Sequence, residues 1–201
     1  MPQLNFNKIL KKLNTPSKVQ DFLDTLPFNF EKDCETYLSP KKVLEQKTAH
    51  CFEGATFAAA CLGRAGVEHY LLDLKVKDLK KDSDHCVCIF KINGYWGAIS
   101  KTNHSVLRWR DPIYKSYREL ALSYFHEYFL DTGHKTLASF SKPFDVWKRF
   151  GDSWVEGEEE LDHIAEALDA YPHINFVPEE NKKMIRNAGK TEIAGAAVTE
   201  W

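Results

Sequence analysis

Cys51 stands in the run "TAHCFEGATFAAACLGRAG", at the head of a string of small and apolar residues whose spacing predicts a helix. The thiolate is the nucleophilic form of cysteine, and the free N–H groups and macrodipole of a helix N-terminus favour that charge. The backbone N–H of Cys51 would also be a natural oxyanion donor, so one position offers both functions. Taken alone, a cysteine here reads first as a small apolar filler for a buried helix. A nearby base would separate the two readings. Of the eight histidines, His50 is adjacent in sequence and would point about 100° round a helix from Cys51, a poor geometry for a partner. His85 is better placed, opening the strand-like "HCVCIFKI" just after a polar loop.

Such a pair needs a third group to hold the imidazole in one tautomer. Asn93-Gly94 is a strong two-residue hairpin signal, since both residues tolerate positive φ. Antiparallel counting from it sets Phe90 against Gly97 and His85 near Thr102, which brings Ser100, Thr102 and Asn103 to the histidine's end of the sheet. Asn103 is the first choice of orienter, Asp111 in "RWRDPIY" the second and Ser100 the third. Gln46, five residues before the cysteine, is a candidate to join the Cys51 N–H as an oxyanion donor.

No metal is expected. Cys86 and Cys88 share one face of a strand while His85 takes the other, and an HExxH pattern from His126 fails at Leu130. No cofactor is implied. Five cysteines without a CxxC pair fit a reducing compartment, and "MPQLNFNKILKKLNTPSK" lacks a continuous apolar leader, so a cytoplasmic location is expected. No window reaches the length of a membrane span. With 27 basic and 29 acidic residues the formal charge is -2, which argues against nucleic acid as a partner.

The elements that must position these groups follow from patterning. Apolar residues recur at helical spacing over 4–13 and 17–26, and Pro27 to Pro40 reads as a loop. Phe52, Ala55, Ala59 and Leu62 share one face of the cysteine helix, which Gly66 closes. Strands are expected in "VEHYLLDLKV", "HCVCIFKI", "YWGAIS" and "SVLRWR", then helices in "SYRELALSYFHEYFL" and "FDVWKRFG". The class is α+β: a buried helix packed on an antiparallel sheet. At 201 residues, one main domain over 1–150 is expected, with a helical extension over 151–201 that turns in a loop around Pro172 and Pro178.

Three blocks in this order, "TAHCFEGATFAAACLGRAGVEHYLLDL", "DHCVCIFKINGYWGAIS" and "WRDPIY", resemble the transglutaminase-like superfamily of papain-related cysteine enzymes over roughly residues 17 to 115. The chain also resembles uncharacterised bacterial transglutaminase-like proteins through "SYFHEYF" and "EALDAYPHINFVP". The resemblance implies that Cys51 is the nucleophile and His85 the base in acyl chemistry on an amide or peptide. The chain departs from the family at three points: Ser100 stands near the expected aspartate, the Asp-Pro pair comes late at Asp111, and Ala49 replaces a common glycine. Hydrolysis is expected over cross-linking, because no second amine site is legible. The alternative expectation is a catalytically silent module that binds a peptide or protein through aromatics such as Trp96 and Trp109.

Overall fold

The computed structural model describes residues 6–31 and 34–199. Three short helices open it: α1 (Phe6–Lys12), α2 (Pro16–Asp24) and α3 (Pro40–Gln46). Thr15 and Ser39 cap the second and third, each followed by a proline whose missing N–H costs nothing at the first helical position. Residues 4 and 5 of the expected first helix lie outside the described residues.

The fourth helix, α4 (Cys51–Ala65), carries the candidate nucleophile as its first residue. Every residue from Phe52 to Leu62 is buried, because strands cover one side and α1, α2 and α3 the others. Its small residues set how close those neighbours come. A Cβ at Gly54 would lie 2.4 Å from the Cβ of Lys101, and one at Gly63 would run into the Trp147 ring. Lys101 cannot swing that atom away, since Cβ is fixed to its backbone. Gly54→Ala is therefore expected to destabilise the protein by about 1–3 kcal/mol through overpacking, read as a lowered melting temperature.

The sheet has six antiparallel strands in the order β4-β3-β2-β1-β5-β6. In chain order they are β1 (His69–Val76), β2 (His85–Ile92), β3 (Tyr95–Ile99), β4 (Arg110–Tyr114), β5 (Leu137–Ser141) and β6 (His173–Asn175). Asn93 and Gly94 both take positive φ, and Phe90 pairs with Gly97 as the hairpin count requires. One face, with Leu71, Cys86, Cys88 and Phe90, packs on α4. The other, with Leu72, Leu74, Val87 and Ile89, packs with Leu120, Tyr124 and Phe125 of α5 (Tyr117–Phe125).

Two expectations are corrected. "SVLRWR" is not a strand: the chain loops through it, with Leu107 at φ 62°, and pairing with β3 begins only at Arg110. Residues 151–201 do not hold helices and loop alone. Beyond α6 (Val146–Phe150), α7 (Ser153–Glu156) and α8 (Asp162–Asp169), the β6 strand joins the sheet through β5. Neither β5 nor β6 is among the expected strands, and both are short, which is why their period is weak. A 3₁₀ turn over Glu179–Met184 and α9 (Lys190–Ala196) follow. Leu161, Ile164 and Leu168 complete the core around α4. Among the described residues no helix is long and apolar enough to cross a membrane.

Candidate active site

The start of α4 is built around a buried carboxylate. Glu53, with no exposed surface, accepts the His50 backbone N–H at 2.9 Å, the Thr36 hydroxyl at 2.9 Å, the Leu38 N–H at 3.1 Å and the Asn29 amide at 3.2 Å. A buried carboxylate with four donors is tolerable where a bare one would not be. The arrangement closes a capping box and ties the 29–38 loop to the helix end.

His50 is the N-cap of this helix, not a member of it. Its backbone is extended, so the ring folds back over the first turn instead of pointing 100° away as helical spacing would have it. Nδ1 accepts the Phe52 N–H at 3.2 Å, Nε2 contacts the Thr36 carbonyl at 2.8 Å, and Nδ1 lies 4.0 Å from the Cys51 sulfur. The cap bond needs an unprotonated Nδ1 and so belongs to the neutral form of the ring. Burial lowers its pKa, but the bond and charge of Cys51 and the charge of Glu53 outweigh that and lift it to about 9. Protonation at Nδ1 exchanges the cap bond for an N–H directed at the thiolate.

The second imidazole arrives from the sheet. His85, the first residue of β2 and 5% exposed, comes close enough to Cys51 for its ring and charge to lower the thiol pKa. Its Nε2 lies 2.9 Å from the Ser100 Oγ. That hydroxyl donates to the Leu107 carbonyl, so it accepts from His85, which fixes the Nε2–H tautomer and leaves Nδ1 for the thiol. Burial alone would raise the Cys51 pKa. The rings of His50 and His85, with their charge, overcome it and lower the value to about 5. The other core cysteines show the contrast: burial pushes Cys61, Cys86 and Cys88 up, and none has a comparable partner.

Ser100 is held from behind. The Gln20 amide donates to its carbonyl and accepts its N–H, both at 2.9 Å, as an extra rung beside β3. The next residue, Lys101, buries its ammonium against the Leu23 and Leu26 carbonyls at the end of α2.

The structure thus brings together Cys51, His85 and the third-ranked orienter, Ser100. The first two choices fall elsewhere. Asn103 lies on the wall of the cleft, but the bond to the imidazole is already taken by Ser100. Asp111 lies on the exposed edge strand β4 and accepts the Trp109 indole N–H at 2.9 Å, because the delayed strand carries it away from the histidine's end. Gln46 is exposed at the last position of α3 and lies outside the cleft, so it supplies no oxyanion donor. The Cys51 N–H, unpaired among the described residues, remains in that role. His50 was rejected on helical spacing, and Glu53 and Gln20 were missed. The first two carry a signal, a polar residue with glutamate three positions on, the pattern of a capping box. Gln20 carries none, being 80 residues from the group it holds.

The reactive residues open on a cleft of about 1140 Å³. Along it, Asp73, Asp84 and Asp169 have carboxylate oxygens within 4.8 Å of one another, close enough to share a cation. Each already has a partner: His173 for Asp73, the Val76 N–H for Asp84 and Lys75 for Asp169. Burial and the two neighbouring carboxylates raise the Asp84 pKa to about 6 against the pull of the Val76 N–H.

No protein-family model matches the chain, and a search of curated proteins returned no match. The site must be read from its own geometry.

Proposed function

We propose that this chain is a cysteine-dependent amide or peptide hydrolase, or acyl transferase, with a core of transglutaminase-like, papain-related type. The observation that carries the reading is the Cys51 thiol, set at the first position of a buried helix, 4.0 Å from the His50 Nδ1 and under the influence of His85, with its pKa lowered to about 5. The order of a cysteine helix, then a strand opened by histidine, supports the same family.

In this reading the Cys51 sulfur attacks the carbonyl carbon, forming a C–S bond while the oxygen takes the negative charge beside the Cys51 N–H. The proton released by the thiol rests on Nδ1 of His85. It passes to the nitrogen of the leaving amine as the C–N bond breaks, leaving a thioester. Water, deprotonated by the same Nδ1, then releases the acid and restores the thiol. Ser100 keeps the ring turned toward the sulfur throughout. No cofactor enters these steps, and a cytoplasmic location fits the unpaired cysteines.

The silent-module alternative relied on surface aromatics. Trp96 is 9% exposed and belongs to the core beside α5, so it is not a free contact residue, and Trp109 is half-buried at a tilt against Phe90.

The test uses p-nitrophenyl acetate as acyl donor and iodoacetamide as thiol probe. An acetylated Cys51 is expected by mass spectrometry, absent in Cys51→Ala. Because the pKa is lowered, alkylation should stay fast from neutral pH down and fall away only as pH drops through about 5. A midpoint at the ordinary thiol value of about 8.5 would overturn the proposal.

A further inference from the structure

Charge on the cleft wall is strongly one-sided. Nine Asp and Glu side chains line it, and among the described residues no Lys or Arg does, although the whole chain is almost neutral. Arg110 neutralises Glu127 and Lys75 neutralises Asp169 from outside the lining. Glu35, Asp82, Asp84, Asp131 and Glu166 have no Lys or Arg partner among the described residues. Carboxylates come from both sides of the nucleophile: the 29–38 loop brings Glu35, and the segment before β2 brings Asp82 and Asp84. Such a concave acidic surface concentrates cations.

A second observation identifies what else the ligand must offer. Asn103 is only 8% exposed and faces the cleft, yet its amide makes no hydrogen bond among the described residues. Open to the cleft, this amide offers a donor and an acceptor that match those of a peptide backbone. Phe28, Phe30, Leu79 and Phe129 add apolar surface along the same wall. At about 1140 Å³ the space exceeds the usual range of about 300–1,000 Å³ for small-molecule pockets and suits a chain segment.

We infer that the cleft receives a peptide segment carrying lysine or arginine side chains, its backbone held by Asn103 and its cationic groups by the ring of carboxylates. This rests on the reading of Cys51 as the nucleophile, since the amide to be attacked must lie over that sulfur.

Methanethiosulfonates separate the two ideas. In a Cys34→Ser background, which removes the exposed cysteine, Cys51 is modified with a trimethylammonium-ethyl reagent and with a sulfonatoethyl reagent. The cation-to-anion rate ratio, divided by that of β-mercaptoethanol, is expected to be about tenfold or more at low salt. It should fall as ionic strength rises and in the exposed-site variant Asp131→Asn/Glu166→Gln. A normalised ratio of one or less overturns the inference, whatever the neutral probe iodoacetamide says about the thiolate; slow iodoacetamide labelling with a high ratio would instead sink the nucleophile reading alone. In a second arm, a capped Gly-Lys-Gly-Lys-Gly peptide should slow iodoacetamide labelling of Cys51, its glutamate counterpart should not, and Asn103→Ala should weaken the protection. If spermidine protects as well as the lysine peptide, the peptide assignment is overturned in favour of a free amine.

Discussion

With alanine in place of His85, thioester formation at Cys51 is expected to fall by about 10²–10⁴-fold, the usual range for a lost general base. The thiol should also titrate higher, because one of the two imidazoles that lower its pKa is gone. His50→Ala should behave differently. It removes the other of these imidazoles and raises the thiol pKa too, but the proton acceptor with a nitrogen facing the thiol remains. Its second expected effect is the loss of an N-cap, worth about 1 kcal/mol of stability. Single-turnover acylation by p-nitrophenyl acetate, followed across pH, separates the two. If His50→Ala costs as much as His85→Ala at a pH where the thiol is ionised in both variants, the assignment of His85 as sole base is wrong.

The second large effect is structural. Glu53→Ala is expected to cost roughly 3–5 kcal/mol, because it strands the buried donors of His50, Thr36, Leu38 and Asn29 together. For a chain of this size that is a fall in melting temperature on the order of 10 °C. Glu53→Gln should lose less, since the amide oxygen still accepts while its NH₂ meets one or two of the donors head on. The loop these bonds hold also contributes Glu31, Glu35 and Tyr37 to the cleft, so a surviving Glu53→Ala protein should show increased protease cutting between residues 29 and 38. Equal stability of wild type and alanine variant would mean that water replaces the carboxylate, contrary to its complete burial.

The sequence disclosed local things well and distant things badly, for reasons visible residue by residue. The cysteine helix was legible because Phe52, Ala55, Ala59 and Leu62 repeat at its period and Gly66, at φ 70°, ends it. The hairpin was legible because Asn93 and Gly94 have few other reasons to be adjacent. His85 stood out because it opens a strand-like run after a polar loop, and the hairpin count set Ser100, Thr102 and Asn103 at its end of the sheet. Ser100 was ranked below Asn103 and Asp111 because amide and carboxylate are stronger partners for an imidazole, and sequence gives no measure of where a loop turns. The turn at Leu107, a branched residue at positive φ, sends its carbonyl back to the Ser100 hydroxyl and delays β4 until Asp111 is past the site. The expected strand there failed for the same reason. His50 was set aside by applying helical spacing to a residue one position outside the helix.

The grip of α2 on the Ser100–Lys101 peptide ties the surroundings of Cys51 to a distant part of the chain. A nascent or partly unravelled molecule carries Cys51 as a commonplace thiol, since neither imidazole is yet in place and the hydroxyl that steers His85 waits on a glutamine 80 residues upstream. The lowered pKa of Cys51 therefore belongs to the folded arrangement, and in an unfolded chain the thiol would titrate near the ordinary value of about 8.5.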